Sequence, residues 1–332
     1  MRMSTVKELA ELHGIVLPAQ FQHGTVMTLD DNAARGWFRF QRLYDAARAC
    51  VRTEADMRRV LREAALDDAA EGSAWLEIQI DPSSYAPHVG GLQPALEIVL
   101  DEASSVSSQH EIQVGVVVAA SRMRHPMEAR TLARLAARYA GTEAGQVVGF
   151  GLSNDERRGH TPDFAPAFNI ARQAGLTIVP HGGELRGPES VTEILDHLRP
   201  HRIGHGVRSV EDPAIVAMVR DRGITLEVCP GSNVGLGVYP GWEHVPVADL
   251  LRVGVKIALG ADDPLLFGTR LVDQYEMMGR NHRLTPSELA LLARHSVEGS
   301  SAPPSHVQNM TDRIAQWEHQ HAHFRSMQLA GE

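Results

Sequence analysis

Val255-Lys256-Ile257-Ala258-Leu259-Gly260-Ala261-Asp262-Asp263-Pro264 is the stretch on which the reading of the fold turns. Residues 255–259 read as a buried strand running into a tight turn that carries two adjacent carboxylates. Neighbouring side chains on an extended backbone point to opposite sides. Asp262 and Asp263 can therefore serve two partners, one facing a metal and the other a ligand. The plainer alternative is that Asp263 caps a following turn or helix, with Pro264 at its first position. Taken alone, the stretch favours the cap.

Working outward, similar segments precede it. Strands are expected at 74–80, 113–119, 147–152, 177–181, 202–205, 224–229 and 255–259. Amphipathic helices are expected between most of them, at 127–140, 165–174, 189–198, 211–222 and 245–253. Before the first strand lie a helix at 4–13, a loop to about Asp31 and a long helix at about 54–71. Regular alternation of this kind implies a parallel sheet with right-handed crossovers. A (β/α) barrel needs eight strands, and seven are counted. The expected fold is thus α/β, a (β/α)8 TIM-type barrel of the metal-dependent hydrolase kind, lacking strand 1. It should form one domain over 1–332, with a helical tail from about 303.

The totals agree with an ordinary globular chain: 332 residues, 43% hydrophobic and 22% charged, with mean hydropathy −0.19. A net charge of −9 gives no attraction to nucleic acid or an anionic membrane. No apolar run is long enough to span a bilayer, and no signal peptide opens the chain. Two cysteines, Cys50 and Cys229, make no disulfide scaffold, and a reducing cytoplasmic setting is expected.

In a parallel barrel, functional groups gather at the C-terminal ends of the strands. Those ends carry Pro180-His181-Gly182-Gly183-Glu184, Arg202-Ile203-Gly204-His205-Gly206, Glu227-Val228-Cys229-Pro230-Gly231-Ser232-Asn233 and the Asp262-Asp263 turn. Singly, each has a structural explanation: His181 as a hydrogen-bonded strand end, Cys229 as a small buried hydrophobe. Four such ends in succession reverse the odds. Imidazole and carboxylate suit zinc, and a nearby glutamate suits proton transfer, which together suggest metal-assisted hydrolysis.

HGGE (181–184), RIGHG (202–206), EVCPGSN (227–233) and the strand with ADDP (254–264), in that order, resemble the signature of the adenosine deaminase family. The resemblance extends from residue 1 to about 300. It implies a zinc-dependent amidohydrolase-type barrel that replaces a purine 6-amino group with oxygen. His181 and Asp262 would be zinc ligands, one zinc per chain. Glu184 would protonate the ring nitrogen beside the attacked carbon, and His205 would orient and help deprotonate the attacking water. Asp263 would bond the imidazole edge of the purine, with Gly183 and Asn154 also at the substrate. The partner implied is a small-molecule purine nucleoside.

Two departures stand out. The family's first strand carries His-x-His, and both histidines bind zinc. Here Met1-Arg2 matches the end of the loop after that strand, so the two usual histidine ligands are not in this sequence. Either the start lies too late or the element was lost. A metal-deficient, catalytically impaired ligand-binding homologue is the competing expectation. His319, His321 and His323 lie in a polar, helical-looking segment where they diverge, and read as surface residues.

The second departure is Asn154, where the family commonly has glycine. It puts strict adenosine specificity in question. In Gly36-Trp37-Phe38-Arg39-Phe40-Gln41-Arg42-Leu43-Tyr44-Asp45, the residues Trp37, Phe38 and Phe40 can wall a ligand pocket or join the core. That stretch and GLSNDERRG resemble a bacterial subgroup, part of which deaminates 6-amino-6-deoxyfutalosine. Adenine deaminases form a third branch. Another amidohydrolase reaction, such as cyclic amide hydrolysis, is disfavoured by Glu184 lying three residues after His181.

Overall fold

Valines dominate the middle of the sheet, and residues 114–121 are buried without interruption, as in a parallel sheet covered on both faces. The computed structural model describes residues 1–23 and 33–329, with side chains at 1–21 and 37–321. Seven strands follow one another: β1 (Trp75–Ile80), β2 (Gln113–Ser121), β3 (Val147–Ser153), β4 (Thr177–Gly182), β5 (Arg202–His205), β6 (Thr225–Val228) and β7 (Lys256–Leu259). Each pairs in parallel with the next, in chain order. The register between β1 and β2 runs from Trp75↔Gln113 to Ile80↔Val118. Among the described residues no eighth strand joins β1 to β7. The sheet is that of a (β/α)8 barrel short of one strand, as the count predicts.

The expected helices form at Met3–Leu12, Glu54–Ala70, Pro126–Arg138, Ala165–Gln173, Pro188–His197, Pro213–Asp221 and Val247–Arg252. The last but one starts later than expected, because residues 207–211 form a separate 3₁₀ turn. Four longer helices lie outside that expectation, Ala33–Arg48, Leu92–Gln109, Leu271–Asn281 and Pro286–Gly299, along with short ones such as Ala86–Val89 and Pro230–Gly235. The loop expected up to Asp31 contains a short helix, Ala19–His23; its remainder falls outside the described residues. The tail is the helix Pro304–Leu329. His319 and His321 are exposed on it, and the side chain of His323 lies outside the described residues. Among the described residues, no helix is long and apolar enough to cross a membrane.

The end of the barrel opposite the strand C-termini is closed by charge. Arg202, buried at the start of β5, donates to Glu227 of β6 at 2.6 Å. It also donates to Glu77 of β1 and to the carbonyl of Gly299. The Ser301 N–H reaches the same Glu77, and its hydroxyl bonds Thr177 of β4 at 2.8 Å. One arginine thus links strands from both halves of the sheet to the segment before the tail. This also places Glu227, which lies in a strand-end motif, in the floor rather than the mouth.

Candidate functional site

Glu184 ends the turn after β4 and is 1% exposed. Its Oε2 lies 3.4 Å from His181 Nε2, and its Oε1 lies 3.2 Å from His205 Nδ1. Asn233, fully buried in the short helix Pro230–Gly235, donates to Oε1 at 2.8 Å. Burial alone would raise the Glu184 carboxyl. The charges of His205 and His181 and the Asn233 amide outweigh it and hold the group below the usual carboxylate range. His181 is moved the other way: burial works against its cation, but Glu184 prevails and raises it.

The second half of the cluster comes from β5 and β7. His205 Nε2 lies 3.9 Å from Asp262 Oδ2, and the His181 and His205 rings meet edge to face with centroids 4.6 Å apart. Both His205 (φ 66°) and Asp262 (φ 55°) are in the left-handed region, as is Asn154 (φ 80°). Non-glycine residues rarely adopt it, and such strain gathers at functional sites. Only two other described non-glycine residues do so, Arg199 and Arg283.

Asp262 and Asp263 do face different partners, but the reason differs from strand alternation. β7 ends at Leu259 and the backbone is left-handed at Asp262, so strand alternation does not extend to the pair. Asp263 does occupy the cap position before Pro264–Phe267, yet its side chain makes no capping bond. Its carboxylate acts instead on Tyr44, on Tyr85 and on the Met1 amino group. Burial pushes the Asp263 carboxyl well up, and Asp262 adds to the effect.

The aromatic run divides. Trp37 is buried and packs on Phe40 at 5.3 Å, and Phe40 stacks on Phe267 at 5.4 Å. Phe267 belongs to the helix that follows Asp263, so this row ties the helix Ala33–Arg48 to the site. Phe38 is a correction: it is 62% exposed, because one helical step turns it away from the buried Trp37 face. Gly183 is another. Its N–H donates to Glu156 and its carbonyl accepts from the Arg208 N–H, so its backbone bonds are already made within the protein. Asn154 lies half-buried at the end of β3, its Oδ1 taken by the Asp155 N–H.

The donor set is suited to a metal. His181 with Glu184 and His205, and His205 with Cys229 and Asp262, each bring ligand atoms within 4.8 Å of one another. Among the described residues, His181 Nδ1, Glu184 Oε2 and His205 Nδ1 are buried without a hydrogen-bond partner. Buried polar atoms are ordinarily satisfied, so orphans here point to a ligand. The Cys229 thiol is pushed far up by burial and by the surrounding carboxylates, Asp262 first. Sequence reasoning quoted Asn233 and Glu156 within motifs but gave neither a role. It passed over Arg122, whose signal is a lone arginine following eight buried residues.

A family model described as adenosine deaminase matches residues 1–317. A Streptomyces virginiae protein, provisionally named an adenosine/adenine deaminase, is 55% identical over 317 residues, covering 96% of this chain and 93% of its own. An adenine deaminase of Chelativorans is 37% identical over 258 residues, covering 77% and 78%. The solved adenine deaminase of Arthrobacter aurescens superposes with a TM-score of 0.85 at 26% identity, over 95% of this chain and 94% of that one.

Proposed function

This chain belongs to the adenosine deaminase family, and from that premise we propose that it hydrolytically deaminates a 6-aminopurine nucleoside, releasing ammonia. Membership makes it a hydrolase acting on C–N bonds. The names of its relatives support adenosine or adenine, and the resemblance of residues 36–45 and 151–159 adds 6-amino-6-deoxyfutalosine to the substrates to be compared. The observation that carries the reading is the buried Glu184 lying against both His181 and His205.

In this reading His181 and Asp262 hold zinc. Bound there, zinc supplies a nucleophile near neutral pH by lowering the pKa of water. Glu184, its carboxyl held below the usual range, relays a proton from His205, 3.2 Å away, to the ring nitrogen beside the attacked carbon, and the Asn233 amide fixes the carboxylate for that transfer. His205, between Glu184 and Asp262, takes a proton from the attacking water. Asp263, its carboxyl raised, shares a hydrogen bond with the imidazole edge of the purine. Asn154 and Trp37 border the substrate. The two buried free cysteines suit a reducing cytoplasm.

A second reading is favoured by one observation. His181 and Asp262 are two ligands where catalytic zinc commonly has three from protein. The chain would then bind a purine without turnover. Zinc content by elemental analysis, with ammonia release from the three substrates, separates the readings. The expected result is a zinc-loaded chain whose activity is lost to a chelator and restored by zinc. Glu184→Gln should lower kcat by roughly 10²–10⁴-fold, and Asp262→Ala should lower zinc content. A zinc-loaded chain that releases no ammonia from any of the three would overturn the proposal.

A further inference from the structure

We infer that Glu156 and Arg122, two buried charged residues outside the proton-handling set, clamp the turn after β4 and so position His181 and Glu184. The kinetic part of this inference rests on the deaminase reading; the geometric part does not.

β4 stops pairing at Gly182, so the next backbone amides lose their strand partners inside a buried region. Glu156, fully buried after β3, takes them over. Its Oε2 accepts from the Gly183 N–H at 2.6 Å and the Ser190 hydroxyl at 2.8 Å. Its Oε1 accepts from the Glu184 N–H at 2.9 Å and from the Arg186 N–H. One carboxylate therefore meets four donors, three of them amides of a single turn. The turn is shaped to admit it. A Cβ on Gly182 would stand 2.4 Å from Ile194 and 3.2 Å from Glu156 Oε2.

The carbonyl side is held from the other direction. Arg122, immediately after β2 and 2% exposed, donates to the His181 carbonyl at 2.8 Å and to Thr161 at 3.1 Å. Burying two charges is costly unless their bonds are fully made. Here four of their six bonds go to the backbone of residues 181–186, the turn that carries His181 and Glu184, while among the described residues Arg122 Nε has no partner. Both are positioning residues, and a misplacement of about 1 Å at a reacting group costs on the order of 10²-fold in rate.

The test uses Glu156→Gln in the full chain. Gln keeps the volume but turns an NH₂ toward amide donors. The expected result is a fall in kcat of about 10²-fold with KM changed by less than about 3-fold. Combined with Glu184→Gln, it should add no further loss, because the two act as a unit. Losses that multiply would overturn the inference. Hydrogen exchange reads the clamp without turnover. The amides of Gly183, Glu184 and Arg186 should exchange about 10-fold faster or more, while those of β2 stay protected. If the wild-type chain deaminates none of the three substrates, the functional reading fails alone, and the exchange result still decides the clamp. Should Glu156→Gln not fold, Arg122→Lys replaces it, with faster exchange in the same turn expected. Unchanged exchange overturns the clamp.

Discussion

Asp56 shows how one carboxylate sets a pH limit away from the site. It accepts from the N–H groups of Arg52 and Thr53 and from His13 at 2.8 Å. Burial opposes its charge, but these bonds prevail and hold the carboxyl below its ordinary value. A depressed folded pKa contributes stability that is complete above the unfolded value of about 3.9 and is lost as pH falls through the folded one. Urea unfolding between neutral and acid pH should show that loss, and Asp56→Asn should remove this part of the slope. An identical slope in the variant would assign it to other groups. The same scale explains what the sequence concealed at the site. His181, Glu184, His205 and Asp262 could be named because imidazoles and carboxylates stand out at the ends of apolar strands. Asn233, Glu156 and Arg122 act through hydrogen bonds to those residues, and nothing in their spacing reveals such bonds.

At the scale of elements, hydrophobic patterning placed all seven strands to within about two residues, since a buried parallel strand reads as a short apolar run. The helix Leu92–Gln109 is absent from that reading, although Leu96, Val99, Leu100, Ala103 and Val106 repeat at helical spacing and are buried. The conformation of the Asp262 turn was not legible, because left-handed backbone at Asp leaves no pattern. Caps give a cleaner test. Thr285 and Glu288 form a capping box at the start of Pro286–Gly299, the helix packed against β7. Thr285→Ala should cost about 1 kcal/mol, seen as a lower urea midpoint with unchanged m. Gly183→Ala should cost more. Its φ of +69° suits glycine, and the new Cβ would meet Val191 at 2.5 Å and the Gly206 backbone at 3.0 Å.

Across the whole molecule, the open sheet is held at its floor by Arg202 with Glu77 and Glu227. Arg202→Met leaves two carboxylates without their cation, and should destabilise by about 3–5 kcal/mol. Replacing Glu77 and Glu227 with leucine in the same chain should recover most of that, because an apolar floor has no unpaired charge to strand. Thermal melts of the single and triple variants check both expectations. The floor also imposes a schedule on synthesis. Glu77 leaves the ribosome 125 residues before Arg202 and 224 residues before Ser301. At about 5–20 residues per second, its carboxylate waits on the order of 10–45 s for its last partner. Until Arg202 emerges, only the Trp75 indole N–H, two residues away, meets that carboxylate, so the ion pair of the floor can form only after β5 is made. The floor is therefore assembled in steps, the Arg202 ion pair first and the Ser301 amide last.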